Sequence, residues 1–273
     1  MMLYWKNTNT LDDYYPAALV TVAPEQAEIA IIGSKSLDLE QFPGLKGLFK
    51  CGVGLDNVPF AECQARHIAV GLPGAETSNI IFEETANFTV YTILNQLYAD
   101  SGDITSWKKN QRVSLNRKAV LVIGQGNIGS RVSNKLEQLV NVLRFDIQHQ
   151  QKKDLYALLA AADLVSLHIP LTDATNGWFD ADKLSVMKDG AILVNTARGQ
   201  IVDESDLLKE IVNGRLRAAF DVFWKEPYTG PLKQFHPHRF FMTPHVASTC
   251  EQFLLGLATD LKKFVSELSG HGN

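Results

Sequence analysis

The chain has 273 residues, of which 45% are hydrophobic and 21% charged, with a net charge of −4; these are the proportions of an ordinary globular protein with room for two modest domains or one large one. The slightly acidic balance argues against a general nucleic-acid or membrane-surface binder, and no apolar run is long enough to span a bilayer. The three cysteines, Cys51, Cys63 and Cys250, form no Cys-x-x-Cys, so reduced thiols in a cytoplasmic protein are expected rather than a disulfide framework.

Residues 1–10 carry polar breaks and no apolar run, unlike a signal peptide. Residues 17–22, 28–32, 47–50 and 68–71 are candidate strands, and Asn57 before Pro59 marks a helix start. Residues 78–99 form a long, mainly apolar helical stretch. Its length suits a helix joining two domains and packing on a partner subunit, with a plain core helix as the alternative. The polar stretch 101–116 reads as a linker or arm. Residues 119–123 are an apolar run ending at glycine, a buried parallel strand. Ile128, Val132, Leu136, Leu139 and Val140 follow at helical spacing. Strands are expected at 142–145, 164–168, 191–195, 218–223 and 240–243. Between them lie helices at 154–162, at 180–188 behind an Asp180 N-cap, and at 203–213 before Gly214. A last helix, 250–268, folds back on the first domain. This alternation implies α/β architecture with a mostly parallel, doubly wound sheet.

Gly124-Gln125-Gly126-Asn127-Ile128-Gly129 fits G-x-G-x-x-G. The pattern is weak alone, but here it follows an apolar strand and opens an amphipathic helix. Gly124 permits the tight turn, Gly126 lets a pyrophosphate approach the backbone, and Gly129 lets helix and strand pack closely. The unpaired N–H groups of the helix start would face the phosphates. Asp146 lies 17 residues after Gly129. An acid there accepts hydrogen bonds from ribose hydroxyls and repels a 2′-phosphate, which favours NAD(H) over NADP. Farther on, Arg198, Glu226 and His245 come after separate expected strands. A fixed cation, a carboxylate and an imidazole suffice to hold an α-keto acid and move one proton. No His/Cys cluster has metal-ligand spacing, so no metal is expected.

Six segments carry a resemblance, and they occur in one order over residues 47–250. They are Gly52-Val53-Gly54-Leu55-Asp56-Asn57-Val58, the loop Gly124 to Gly129, the stretch 165–172 with His168 and Pro170, residues 187–206, Asp221 to Pro227, and Thr243-Pro244-His245-Val246-Ala247-Ser248. Together they resemble the D-isomer-specific 2-hydroxyacid dehydrogenase family, which includes phosphoglycerate dehydrogenase and glyoxylate/hydroxypyruvate reductase. The resemblance implies a Rossmann NAD domain, residues 80–249, inserted in a smaller flavodoxin-like substrate domain, residues 1–79 plus 250–273. It implies hydride transfer between nicotinamide and C2 of a small D-2-hydroxy or 2-keto acid bound between the domains.

The resemblance makes His245 the acid/base, suited by an imidazole's titration near neutrality. Glu226 would orient its tautomer and favour its protonated form. Arg198 would grip the substrate carboxylate and carbonyl with its planar fork. The backbone of Val53 and Gly54 would bind the carboxylate. Gly124, Gly126, Asn127, Ile128, Gly129, Asp146, His168, Pro170, Thr196, Ala197 and Asp221 would line the cofactor, with Asp221 on the nicotinamide carboxamide. A homodimer through the long helix and arm is also implied.

The chain departs from the family in several places. The first domain and the arm are short. Asn127 replaces a common arginine at the pyrophosphate, and Gly33-Ser34 stands where phosphoglycerate dehydrogenases place an arginine for the substrate phosphate. The rival readings are an NAD(H)-binding regulatory protein with little catalysis and a formate or phosphite oxidation. Formate relatives pair glutamine with histidine, which Glu226 argues against.

Overall fold

The computed structural model describes residues 2–149 and 151–270. Residues 1 and 271–273, the extremes of the expected first domain, lie outside them, as does the side chain of Lys152. In chain order the elements are β1 (Tyr4–Lys6), β2 (Ile29–Ile32), β3 (Gly47–Lys50), α1 (Phe60–Ala65), β4 (Ala69–Gly71), α2 (Ala75–Leu97), β5 (Gly102–Asp103), β6 (Lys108–Lys109), β7 (Ala119–Ile123), α3 (Gly129–Leu136), β8 (Asn141–Phe145), α4 (Lys152–Ala161), β9 (Leu164–Leu167), α5 (Ala181–Val186), β10 (Ile192–Asn195), α6 (Glu204–Val212), β11 (Arg217–Phe220), β12 (Phe240–Met242) and α7 (Glu251–Gly270). They divide into two compact units, Met1–Phe82 with Ser248–Asn273, and Glu83–Ala247.

The first unit holds a four-stranded parallel sheet in the order β1-β2-β3-β4. Period-2 alternation sorts its side chains onto two faces. Ile29, Ile31 and Phe49 pack with Phe253, Leu257 and Leu261 of α7. Ala30, Ile32 and Leu48 pack with Leu39, Phe42 and Cys63. One expectation fails here. Residues 17–22 form no strand: Pro16–Ala18 is a tight 3-10 turn, Leu19 and Val20 are exposed, and only Thr21 bridges to Tyr4. The strand beside β2 is β1 instead. A helix does start just past Asn57, with Pro59 at the N-cap of α1, and the Asn57 amide donates to the carbonyls of Gly33 and Lys35.

The second unit holds a six-stranded, all-parallel sheet in the order β12-β11-β10-β9-β7-β8. Its inner strands β7, β9 and β10 are buried along their whole length, as parallel strands are when helices cover both faces. Leu121, Ile123, Val165, Leu167 and Leu193 face the helices α4 to α6. Val120, Val122, Leu164, Ile192 and Val194 face α2 and α3. Each such side chain removed from water contributes roughly 1.5–3 kcal/mol. The chain runs outward from β7 to β8, then crosses back to β9 on the other side of β7. That reversal opens a crevice at the carboxyl ends of β7 and β9, the place where doubly wound sheets bind ligands. Among the described residues no helix is long and apolar enough to cross a membrane, and no three His, Cys, Asp or Glu side chains gather as metal ligands.

Candidate active site

The glycine loop leaves β7 at this crevice. Gly124 sits at φ +91, and a Cβ there would stand 2.4 Å from the His168 carbonyl oxygen at the end of β9. A Cβ on Gly129 would lie 1.9 Å from the Gly124 carbonyl oxygen. Any side chain at either position collides with backbone, so the turn requires glycine at both. Nothing lies within 4 Å of a Cβ built on Gly126. The N–H groups of Gly126, Asn127 and Ile128 meet no acceptor among the described residues. Open space beside three unpartnered donors at a helix start fits a dinucleotide pyrophosphate. Asp146, just past β8, accepts from the backbone N–H of Gln125 at 2.9 Å and of Gln148 at 2.9 Å. These bonds hold its carboxyl below the usual range against the opposing effect of burial, and they tie the acid to the glycine loop. His168 is deeply desolvated, its Nε2 shares a hydrogen bond with the Ser166 hydroxyl at 2.8 Å, and burial pushes its pKa down to about 3. It is therefore a neutral ring lining the loop. Pro170 follows it, and its carbonyl accepts from the Thr175 hydroxyl.

Arg198, Asp221 and His245 follow β10, β11 and β12, three neighbouring parallel strands. Adjacent strands lie roughly 4.8 Å apart, so the carboxyl rim brings all three segments together. Buried Asn195 shapes the first turn: its amide donates to the Arg198 carbonyl at 2.8 Å and its oxygen accepts from Ala197 N–H at 3.0 Å. The Arg198 guanidinium donates in turn to the Ala197 carbonyl at 2.8 Å. Thr196 is buried, with its hydroxyl against that of Thr89 on α2 at 2.8 Å.

His245 and Glu226 form the clearest pair. Nδ1 of His245 lies 2.9 and 3.1 Å from the two Glu226 carboxylate oxygens. Phe223 N–H also donates to Glu226 at 3.1 Å. A carboxylate so placed selects the tautomer with the proton on Nδ1. His245 Nε2 makes no hydrogen bond among the described residues. His245 adopts φ +55, a conformation uncommon outside glycine.

Asp221 explains how that loop is held. Its side chain is 1% exposed, and it accepts from the Thr243 hydroxyl at 2.6 Å, Val246 N–H at 2.9 Å and Ala247 N–H at 2.9 Å. The carboxylate thus grips the chain on both sides of His245. Burial raises its pKa, opposed by these three donors. Sequence reading gave Asp221 only a cofactor role, and it gave no role to Asn195 or Ser166. The partners of Asp221 lie in another segment, so no local signal marked its role, whereas those of Asn195 and Ser166 are two or three residues away.

In the first unit, Val53 and Gly54 lie in the loop after β3. Their N–H groups have no acceptor among the described residues. The loop is pinned from behind by Lys50, whose buried ammonium donates to the Gly33 carbonyl at 2.5 Å and the Asn57 side chain at 2.8 Å.

Residues 93–247 match the NAD binding domain of the D-isomer specific 2-hydroxyacid dehydrogenases. The chain belongs to this family. It is 34% identical over 254 residues to D-3-phosphoglycerate dehydrogenase of Mycobacterium tuberculosis, a match covering 85% of this chain and 47% of that protein. It is 31% identical over 229 residues to hydroxypyruvate reductase of Thermotoga maritima, covering 78% of this chain and 74% of the relative. D-lactate dehydrogenase from Aquifex aeolicus, solved with NAD and lactic acid, superposes with a TM-score of 0.77 at 26% identity, covering 91% of this chain and 84% of that one. The chain spans about half the length of the phosphoglycerate dehydrogenases it matches. The second unit is thus the family's NAD-binding Rossmann domain, and the glycine loop, Asp146 and His168 all belong to it.

Proposed function

We propose that this chain is an NAD-dependent oxidoreductase acting on a small D-2-hydroxy acid or the corresponding 2-keto acid. The observation that carries the reading is the Glu226–His245 pair, with Nδ1 occupied and Nε2 available, on the same sheet rim as Arg198 and the glycine loop. Bound NADH supplies a hydride to C2 of the keto acid. Everything else falls to the chain. Arg198 holds the carboxylate and carbonyl oxygen in its fork and stabilises the negative charge that grows on the carbonyl oxygen. His245 passes the proton on Nε2 to that oxygen, and Glu226 offsets the imidazolium charge before transfer and fixes the ring's orientation. Run backwards, His245 accepts the hydroxyl proton. We assign to the N–H groups of Val53 and Gly54 a further contact with the substrate carboxylate, supported by their lack of a protein acceptor.

Asp146 supports NAD over NADP, because a carboxylate at the ribose repels a 2′-phosphate. We also propose a homodimer through α2 and the arm, supported by the exposure of Tyr91, Tyr98, Ile104 and Trp107 there. A particle of 30.3 kDa in solution would overturn the dimer.

The test of the activity is NADH oxidation with glyoxylate, hydroxypyruvate, pyruvate, 2-ketobutyrate and phosphohydroxypyruvate, beside His245→Ala. Turnover on one or more that disappears in the variant is the expected result. NADH binding without turnover on any of the five refutes the catalytic reading and leaves a binding role.

A further inference from the structure

Arg198 and Glu226 sit on loops that leave two different strands, yet the two loops are stitched together. Gln200, two residues after Arg198, donates from its amide to the Trp224 carbonyl at 3.1 Å. Trp224 answers with its indole N–H, which donates to the Val202 carbonyl at 2.7 Å. Between these bonds the backbones touch: a Cβ on Gly199 would stand 2.2 Å from the carbonyl carbon of Phe223. One residue before Trp224, the N–H of Phe223 donates to Glu226 at 3.1 Å, and Glu226 holds His245. An unbroken path of contacts therefore runs from Arg198 to the imidazole, through Gln200 and Trp224.

The indole is suited to this place by shape and by its donor. Its ring stacks on Phe220, with centroids 5.7 Å apart and planes at 28°, and leans on Tyr228 at 5.8 Å. Tyr228 adds a third crossing by donating to Glu204 at the start of α6 at 2.7 Å. Phenylalanine is smaller than the indole and carries no donor for the Val202 carbonyl.

We propose that Trp224, together with Gln200, is a positioning residue that sets the spacing between Arg198 and the Glu226–His245 pair. This rests on the reading of those three residues given above. Carboxylate binding does not depend on the distance between Arg198 and His245, whereas proton and hydride delivery need the two at one separation, and small misplacements of reacting groups cost catalysis heavily. Loosening the stitch therefore lowers kcat and spares KM. The cofactor loop hangs on β7 and is not touched.

The experiment replaces Trp224 by 3-benzothienylalanine, which keeps the ring shape and loses only the N–H donor, with Gln200→Ala as a second, independent variant. The expected result is a fall in kcat of about 10-fold in each, with KM and the NADH dissociation constant within about twofold and the melting temperature within a few degrees. Slow hydrogen exchange of the Trp224 indole N–H in the unaltered protein reads the Val202 bond directly. Unchanged kcat in both variants overturns the proposal. So does a fall in which KM, NADH affinity and melting temperature move in parallel, which marks a merely structural role. A freely exchanging indole overturns it whether or not the protein turns over. A protected indole in a chain that reduces no keto acid sinks the roles of Arg198 and His245, and the positioning role with them, leaving only a tie between two loops.

Discussion

Replacing Asp221 by asparagine tests whether this carboxylate serves the His245 loop or the cofactor. In the fold its two oxygens accept three hydrogen bonds, two of them from the backbone N–H groups of Val246 and Ala247. Asparagine keeps one oxygen, which can still serve Thr243 and Val246. Its amide nitrogen then faces the N–H of Ala247, donor against donor. A bond to a charged group contributes about 1.5–3 kcal/mol, and a buried donor left unmet costs about 1–3 kcal/mol. Relief of the buried charge, visible in the raised pKa of Asp221, offsets part of this. The net loss is about 2–4 kcal/mol. At about 2–4 °C per kcal/mol for a domain of this size, the melting temperature falls by roughly 4–16 °C. Because the loop carries His245, kcat falls on the order of 100-fold. NADH affinity, measured by fluorescence titration, stays within about threefold. The opposite pattern, a large loss of NADH affinity with unchanged melting, would refute the anchor and return Asp221 to the nicotinamide carboxamide.

Glu226→Gln leaves a hydrogen-bonding partner for Nδ1 but no charge to offset the imidazolium, so kcat for keto-acid reduction falls about 10²–10³-fold while NADH still binds; an unchanged rate removes Glu226 from the mechanism. Asp146→Ser removes the charge that opposes a 2′-phosphate and narrows the NADH over NADPH preference about 10-fold or more, read from kcat/KM with each cofactor. Gly129→Ala forces a methyl against the Gly124 carbonyl and abolishes NADH binding at concentrations that saturate the unaltered protein; retained affinity would show that the loop can shift at little expense. His168 has a folded-state pKa of about 3 against about 6.5 in an unfolded chain. The unfolded chain therefore binds a proton in this window that the fold does not. The stability this histidine contributes is complete above about pH 6.5 and is lost as pH falls toward 3, by up to about 1.4 kcal/mol per pH unit. The slope of urea-unfolding free energy against pH is shallower in His168→Phe if this holds, and identical if it does not.

The sequence by itself determined the elements and most of the candidate chemistry. Runs such as residues 119–123 and 191–194 are apolar throughout, as a strand covered on both faces requires, so a parallel sheet with helices on both sides followed. Glycines 124, 126 and 129 follow an apolar strand and open an amphipathic helix, the context that gives their spacing its meaning. Asp180 was legible as a cap because a cap and its N–H partner are three residues apart, and it accepts from Lys183 N–H as expected.

Only the tertiary structure decided what depends on distant neighbours. Residues 17–22 were apolar enough for a strand, but Pro16–Ala18 turns there and only Thr21 bridges to Tyr4. Asn57 before Pro59 marked the start of α1, but its bonds to the Gly33 and Lys35 carbonyls exist only in the fold. Asp221 reads as an ordinary acid at a strand end; its grip on the His245 loop exists because β11 and β12 lie side by side. The tie between Gln200, Trp224 and Val202 is invisible in one dimension for the same reason. Periodicity reports which face of an element avoids water, whereas the partner of a buried polar group is chosen by geometry that only the folded sheet creates.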